Sequence, residues 1–266
     1  MQVLLTNGDS WTQGDNPAQR VNWDARPALD TRRGRLYHIV PGFGDYHHKA
    51  SNDILYKFYE SDVWPSCLSM DWGIPTYNAG RLGSSNTSIR ERTIWSVEYL
   101  LEKGYKHILV IVGWSSRYRE DVLYFHPPKE MFSIHQVRPH NIESIKKFNI
   151  SNERFDDKFL LNVIALQNYL DSKNNGEIKV DYLFFNAFDY LDNLNNPYYP
   201  LVDTSKWVNN TLARGHFKDF VLSKFNLKDT NNKDYFAKYH PTDKSHKAFA
   251  EYLGIKVKEQ IWNVRS

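Results

Sequence analysis

The apolar positions of this 266-residue chain fall into short continuous runs and longer stretches with helical spacing, and the two kinds alternate. Val3 to Thr6 is an apolar run that ends in Asn7-Gly8-Asp9-Ser10, which reads as a strand, a tight turn and a helix start. Ile74 to Tyr77 reads as a second strand, followed by a Gly- and Ser-rich turn at 78–86 and a helix from Thr87 to Lys103 ended by Gly104. His107 to Val112 is a continuous aliphatic run, the pattern of a strand buried on both faces of a parallel sheet, and Val180 to Asn186 is the next strand. Helical spacing marks Ser51 to Leu68, where Ile54, Leu55, Phe58 and Tyr59 share a face and Ser51 is the N-cap, and it returns at Phe159 to Leu170. Trp207 to Phe225 reads as mainly helical. A last helix runs from Thr242 to Trp262 with Phe249, Leu253, Val257 and Ile261 on one stripe.

Strands alternating with helices imply right-handed crossovers and a doubly wound α/β sheet, which puts ligand sites at the carboxyl ends of the strands. Two stretches escape the pattern. Residues 15–50 are a long Arg-, Gly- and Pro-containing connection, and residues 114–155 are an irregular insertion rich in aromatics, His and Pro, read as a substrate-facing lid or an oligomer contact. With no internal repeat and no low-complexity linker, residues 1–266 are expected to form a single domain.

Composition narrows the function classes. The chain is 41% apolar and 24% charged, as expected of a soluble globular protein. Its 34 basic and 31 acidic residues are spread along the chain, so the net charge of +3 leaves no footprint for nucleic acid. Arg20, Arg26, Arg32, Arg33 and Arg35 cluster near Trp23, where a solvated loop is the simpler reading and contact with an anionic glycan or phosphate the sharper one. The single cysteine, Cys67, excludes an intramolecular disulfide and reads as a buried thiol in a reducing compartment. No apolar run is long enough to span a bilayer, and the N-terminus opens on a strand without a charged-then-apolar leader, so neither membrane insertion nor signal-directed export is expected. His47, His48, His126, His135 and His140 lack metal-ligand spacing, and neither a P-loop nor G-x-G-x-x-G follows any strand, so no metal and no cofactor is expected.

The chemistry gathers at the strand ends. Gly8-Asp9-Ser10 presents a hydroxyl at the start of a helix on a sharp turn, where a backbone N–H can face a developing oxyanion. Asn78-Ala79-Gly80-Arg81-Leu82-Gly83 follows the second strand, Gly113-Trp114-Ser115-Ser116-Arg117 ends the third, and His240-Pro241 precedes the last helix with Thr242 as its cap. In this order the four segments resemble the blocks of the SGNH (GDSL-type) hydrolases, and look most like small members encoded by tailed phages.

The resemblance implies a three-layer α/β/α sandwich with a parallel, flavodoxin-like sheet. It implies a serine esterase in which Ser10 is the nucleophile, His240 the base, and the N–H groups of Ser10 and Gly83, with the Ser115 hydroxyl, hold the oxyanion. Asp9 is expected to be a structural hydrogen-bonding partner beside the nucleophile. The implied substrate is a small O-acyl ester, such as acetyl on a polysaccharide or cell-surface glycan, and the implied setting is the cytoplasm of the host cell or the virion.

Three departures stand out. Trp11 replaces the family's leucine, Ser115 stands where an asparagine is expected, and Ala237 occupies the position of the aspartate that orients the histidine. Asp234 would supply that acid if its loop curls back; otherwise a backbone carbonyl or water orients His240 in a Ser-His dyad. A competing register, Asp243-Lys244-Ser245-His246, spells Asp-x-x-His and would make His246 the base and Asp243 its acid. The departures also motivate a second reading, a catalytically degenerate SGNH fold serving as a glycan-binding or virion structural protein, or assembling as a homo-oligomer.

Overall fold

Alternate residues of the central strands face two different helical layers, which is why these strands read as unbroken apolar runs. The computed structural model describes residues 2–13, 36–38, 63–81, 84–126, 131–137, 151–188, 191, 194–214, 216–237 and 240–262. Five parallel strands form the main sheet: β1 (Gln2–Asn7), β2 (Leu36–His38), β3 (Thr76–Asn78), β4 (His107–Trp114) and, beyond a two-stranded ladder described below, β7 (Lys179–Asn186). Their spatial order is β2-β3-β1-β4-β7. Without the edge strand β2 the sequence β3-β1-β4-β7 follows the flavodoxin-like winding, in which the chain leaves β1 toward β3 on one side and then crosses to β4 on the other. That switch point lies at the carboxyl end of β1, immediately before Ser10.

Val3, Leu5, Ile108, Val110 and Val112 bury one face of the sheet against α3 (Asn86–Glu102) and α4 (Asn152–Ser172). Leu4, Leu109, Ile111, Leu183 and Phe185 bury the other against α2 (Trp64–Trp72), α5 (His216–Lys224) and α6 (Asp243–Val257). The result is the expected three-layer α/β/α sandwich. Ser85 caps α3 by accepting the Ser88 N–H, and Gly104 takes a left-handed φ of 82° just beyond the helix end. The stripe Phe249, Leu253, Val257 and Ile261 is buried, the last in a π turn at Lys258–Trp262 that continues α6. Cys67 is a buried free thiol.

Three expectations need correction. The insertion at 114–155 holds regular structure, an antiparallel pair of β5 (Glu120–His126) and β6 (Met131–Val137), and α4 begins before the expected Phe159. The segment 207–225 is helical only from His216; before that it makes short 3₁₀ turns, with Asn209 and Asn210 at φ 57° and 55°. Left-handed asparagines end a helix rather than continue it. Trp207 forms a parallel bridge to Phe184 on the outer edge of β7 instead. The helix expected from Ser51 is described only from Trp64 and extends to Trp72, past the expected end at Leu68. Its first half, the Arg20–Arg35 cluster, most of the 15–50 connection and Gly83 lie outside the described residues.

Candidate active site

Asn7 closes β1 and begins the site. Its amide donates to the Ile89 carbonyl and the Thr93 hydroxyl, both at 2.8 Å, fixing the strand end to α3. Gly8 follows where side chains have no room: a Cβ there would sit 2.2 Å from Thr12 Oγ1 and 2.7 Å from the Gly113 carbonyl oxygen. The close approach of the β1 turn to the end of β4 therefore demands glycine. Helix α1 (Ser10–Gln13) starts at once, with Ser10 as its first residue.

Trp11, the substitute for leucine, is an anchor. It is buried, with its ring 4.2 Å from Phe188, 5.3 Å from Phe217 and 6.0 Å from Phe236 between centroids. Phe236 belongs to β8 (Phe236–Ala237), which pairs antiparallel with β9 (His240–Pro241), Ala237 standing opposite His240. Through this packing α1 lies directly against β9. The two segments that carry Ser10 and His240, far apart in sequence, are neighbours at the switch point of the sheet.

Asp9 is completely buried, and its carboxylate is surrounded by donors. Oδ1 accepts the Trp11 N–H at 3.0 Å, while Oδ2 accepts the Ser115 hydroxyl at 2.7 Å and the Arg119 guanidinium at 3.1 Å. Burial pushes the Asp9 carboxyl above its ordinary range, opposed in order by Arg119, Ser115, the Trp11 N–H and the charge of His240. Asp9 is thus the structural hydrogen-bonding partner expected of it. Ser115 is not the expected oxyanion donor: its hydroxyl carries one proton, and that proton is given to Asp9. Its backbone is held by Asn86, which accepts the Ser115 N–H at 3.0 Å and donates to the Ser116 carbonyl at 3.1 Å.

The turn after β3 is fixed on both sides of its undescribed residues 82–83. Asn78 accepts the Gly80 N–H and donates to the Thr12 carbonyl, and the Arg81 N–H bonds the Gly8 carbonyl. Arg92, on α3, binds the Ala79 carbonyl at 3.1 Å, the Gly8 carbonyl at 3.2 Å and the Ser84 hydroxyl at 2.7 Å. One guanidinium therefore clips the turn after β1 to Ala79 and Ser84, on either side of residues 82–83.

The histidines separate by environment. His240 is half-buried on β9. His246, on α6, is 1% exposed, packs its ring edge-on against Phe217 at 5.3 Å and accepts the Trp64 N–H on Nδ1 at 3.5 Å. Burial holds its pKa down at about 3. With Nδ1 occupied and the ring inside the apolar layer, His246 is a core residue, which corrects its reading as an alternative base. Asp234 is exposed, and it is its backbone carbonyl, accepting the Thr242 hydroxyl at 2.7 Å, that joins the local structure; the acid role expected of its side chain finds no support. Thr242 is the N-cap residue of α6 but its side chain makes no bond to the helix; its hydroxyl donates to the Asp234 carbonyl. Asp243 lies half-buried in the first turn of α6.

Sequence reasoning missed Arg92, Asn86 and Arg119, and also His216, whose Nδ1 accepts the Asn186 N–H at 3.1 Å at the end of β7. Among the described residues no helix is long and apolar enough to cross a membrane, and no three His, Cys, Asp or Glu side chains gather to hold a metal ion.

No family model and no curated protein matches this sequence. Among solved structures the chain is similar to an acetyl xylan esterase from the rumen bacterium Butyrivibrio proteoclasticus, at 11% identity and a TM-score of 0.46 over 98% of this chain, and it spans 64% of that protein, less than two thirds of its length. It is similar to a second acetyl xylan esterase at 14% identity and a TM-score of 0.44, covering 97% of this chain and 100% of the other. A member of the lipolytic G-D-S-L family from Veillonella parvula matches at 11% identity and a TM-score of 0.33, covering 98% of both chains.

Proposed function

We propose that this chain is a serine esterase of the SGNH type, acting on a small O-acyl ester such as acetyl on a polysaccharide or cell-surface glycan. The observation that carries the reading is the packing of α1, which begins at Ser10, against β9, which holds His240, at the switch point of a doubly wound sheet. Ser10 Oγ bonds to the ester carbonyl carbon as its proton passes to His240. The tetrahedral intermediate collapses, the bond to the alcohol oxygen breaks, and that oxygen takes the proton. Water then attacks the acyl-enzyme with the same help and releases the acid and the free serine.

Two backbone N–H groups, those of Ser10 and Gly83, form the oxyanion hole in this proposal. With the Ser115 proton committed to Asp9, the third donor of the family pattern is missing, a loss on the order of 3 kcal/mol of transition-state stabilisation. Ala237 carries no acid at the family position, and the proposal assigns the proton transfers to His240 alone. Both departures predict a slow enzyme rather than an inert one.

A fluorophosphonate probe tests the proposal. Wild-type protein should label at Ser10 and Ser10→Ala should not, with acetate released from an acetylated glycan by the wild type alone. A folded wild-type protein that resists labelling overturns the esterase reading and leaves a degenerate fold that binds glycan or builds a virion.

A further inference from the structure

We infer that Arg119 positions the nucleophile: with Ser115 it clamps the buried Asp9 carboxylate that shapes the Asp9-Ser10-Trp11 turn. This inference rests on the esterase reading above and adds to it a residue outside the family's four blocks.

A fully buried carboxylate is costly unless a countercharge and several donors meet it. All three groups around Asp9 donate, so the side chain works only as an acceptor, which is the chemistry of the ionised form. Its two oxygens do different jobs. Oδ1 reaches two residues ahead to the Trp11 N–H and closes the turn on which Ser10 stands. Oδ2 reaches across to Ser115 and Arg119 on the loop after β4. The carboxylate thus bolts the turn after β1 to the end of β4, and Arg119 supplies the positive charge that lets it do so.

Arg119 is itself held in place. Its guanidinium lies 5.2 Å over the Phe188 ring, and Phe188 packs on Trp11, so the cation and the helix it stabilises share one aromatic support. The Arg119 side chain keeps 22% exposure, against none for Asp9, so replacing it opens no cavity in either core layer. The charged or titratable groups acting on Asp9 are Arg119 from the loop after β4 and His240 from β9; His240 in turn acts on His246 from α6.

The test compares Arg119→Ala and Arg119→Lys with the wild type in the full chain. It reads the rate of fluorophosphonate labelling at Ser10 as a function of pH, with a thermal melt to establish folding. Removing the cation makes protonation of Asp9 easier, so the acid limb of the Arg119→Ala profile moves to higher pH, and the rate at neutral pH falls about a hundredfold. Arg119→Lys keeps the charge without the fork and moves the limb less. Guanidinium ion at low concentration restores part of the Arg119→Ala rate.

A folded Arg119→Ala whose profile keeps the wild-type limb, whether or not its rate falls uniformly, overturns the assignment. Should Arg119→Ala not fold, Arg119→Lys decides, and a rate and limb equal to wild type overturn it. A wild type that never labels brings down the esterase reading itself, and this assignment with it.

Discussion

His240 and His246 stand on either side of the start of α6, and the fold gives the two imidazoles opposite surroundings. His240 is paired with Ala237 across a two-residue ladder, half-buried beside α1, while His246 is enclosed by Trp64 and Phe217. Sequence spacing favours neither strongly, since one has the proline and the other the aspartate three residues before it. Burial decides, because a base must be able to hold a proton, and the apolar layer withholds that from His246 down to about pH 3. His240→Gln should slow labelling of Ser10 by about a hundred- to ten-thousandfold with little change in the melting midpoint. His246→Gln should do the reverse, leaving the labelling rate per folded molecule intact while lowering stability by about 1–3 kcal/mol, because it introduces an unpartnered amide into an apolar layer. Parallel labelling and urea titrations of the two variants read this out. Exchange of the two outcomes would make His246 the base.

At the scale of elements, α3 does more than cover the sheet. Asn7 donates into its backbone, and its Arg92 returns to the carbonyls of Gly8 and Ala79 and the hydroxyl of Ser84. The helix is thereby the splint that holds the ends of β1 and β3 in register with each other. Arg92→Met keeps much of the stem and removes the fork, taking its donors from the Ala79 carbonyl and the Ser84 hydroxyl, while the Gly8 carbonyl keeps the Arg81 N–H. The expected loss is about 2–4 kcal/mol in urea unfolding, together with slower labelling of Ser10 because the turn carrying Gly83 is freed. A variant with wild-type stability would show that water replaces the guanidinium without cost.

Legibility divides along the same line. The strand ends could be read because a tight turn requires Gly or Asn at fixed local spacing, and Gly8 meets that demand in space. Arg92 could not: on a helix it looks like any solvated cation, and its partners lie 8 to 85 residues away. Arg119 was hidden for the same reason, 110 residues from Asp9. The β5–β6 pair had a local signal, two aromatic and aliphatic runs around Pro127-Pro128, but without clean alternation its pairing is a fact of the fold rather than of either run. Asn209-Asn210 was the overlooked mark against a helix through 207–225.

For the whole molecule, the two buried histidines tie stability to pH. His216 and His246 are neutral in the native state, their pKa values held down by burial at about 4 and about 3, against 6.5 for an open imidazole. Above pH 6.5 both are neutral whether the chain is folded or not, so neither affects the balance. As the pH falls below 6.5 the unfolded chain binds protons that the native state refuses, and stability drops by about 1.4 kcal/mol per pH unit for each histidine. The two slopes add down to about pH 4, where His216 begins to protonate in place, and His246 continues alone toward about pH 3. Asp9 works in the opposite direction, since its native carboxyl lies above the ordinary 3.8 and takes up its proton before the unfolded chain does. A series of urea midpoints from pH 7.5 to 5 in wild type and His246→Gln isolates His246, because the Asp9 contribution is common to both and the variant should lose about 1.4 kcal/mol less per pH unit. Equal slopes in wild type and His246→Gln would mean that the His246 ring is charged in the native state, and would bring His246 back among the groups able to move a proton at the site.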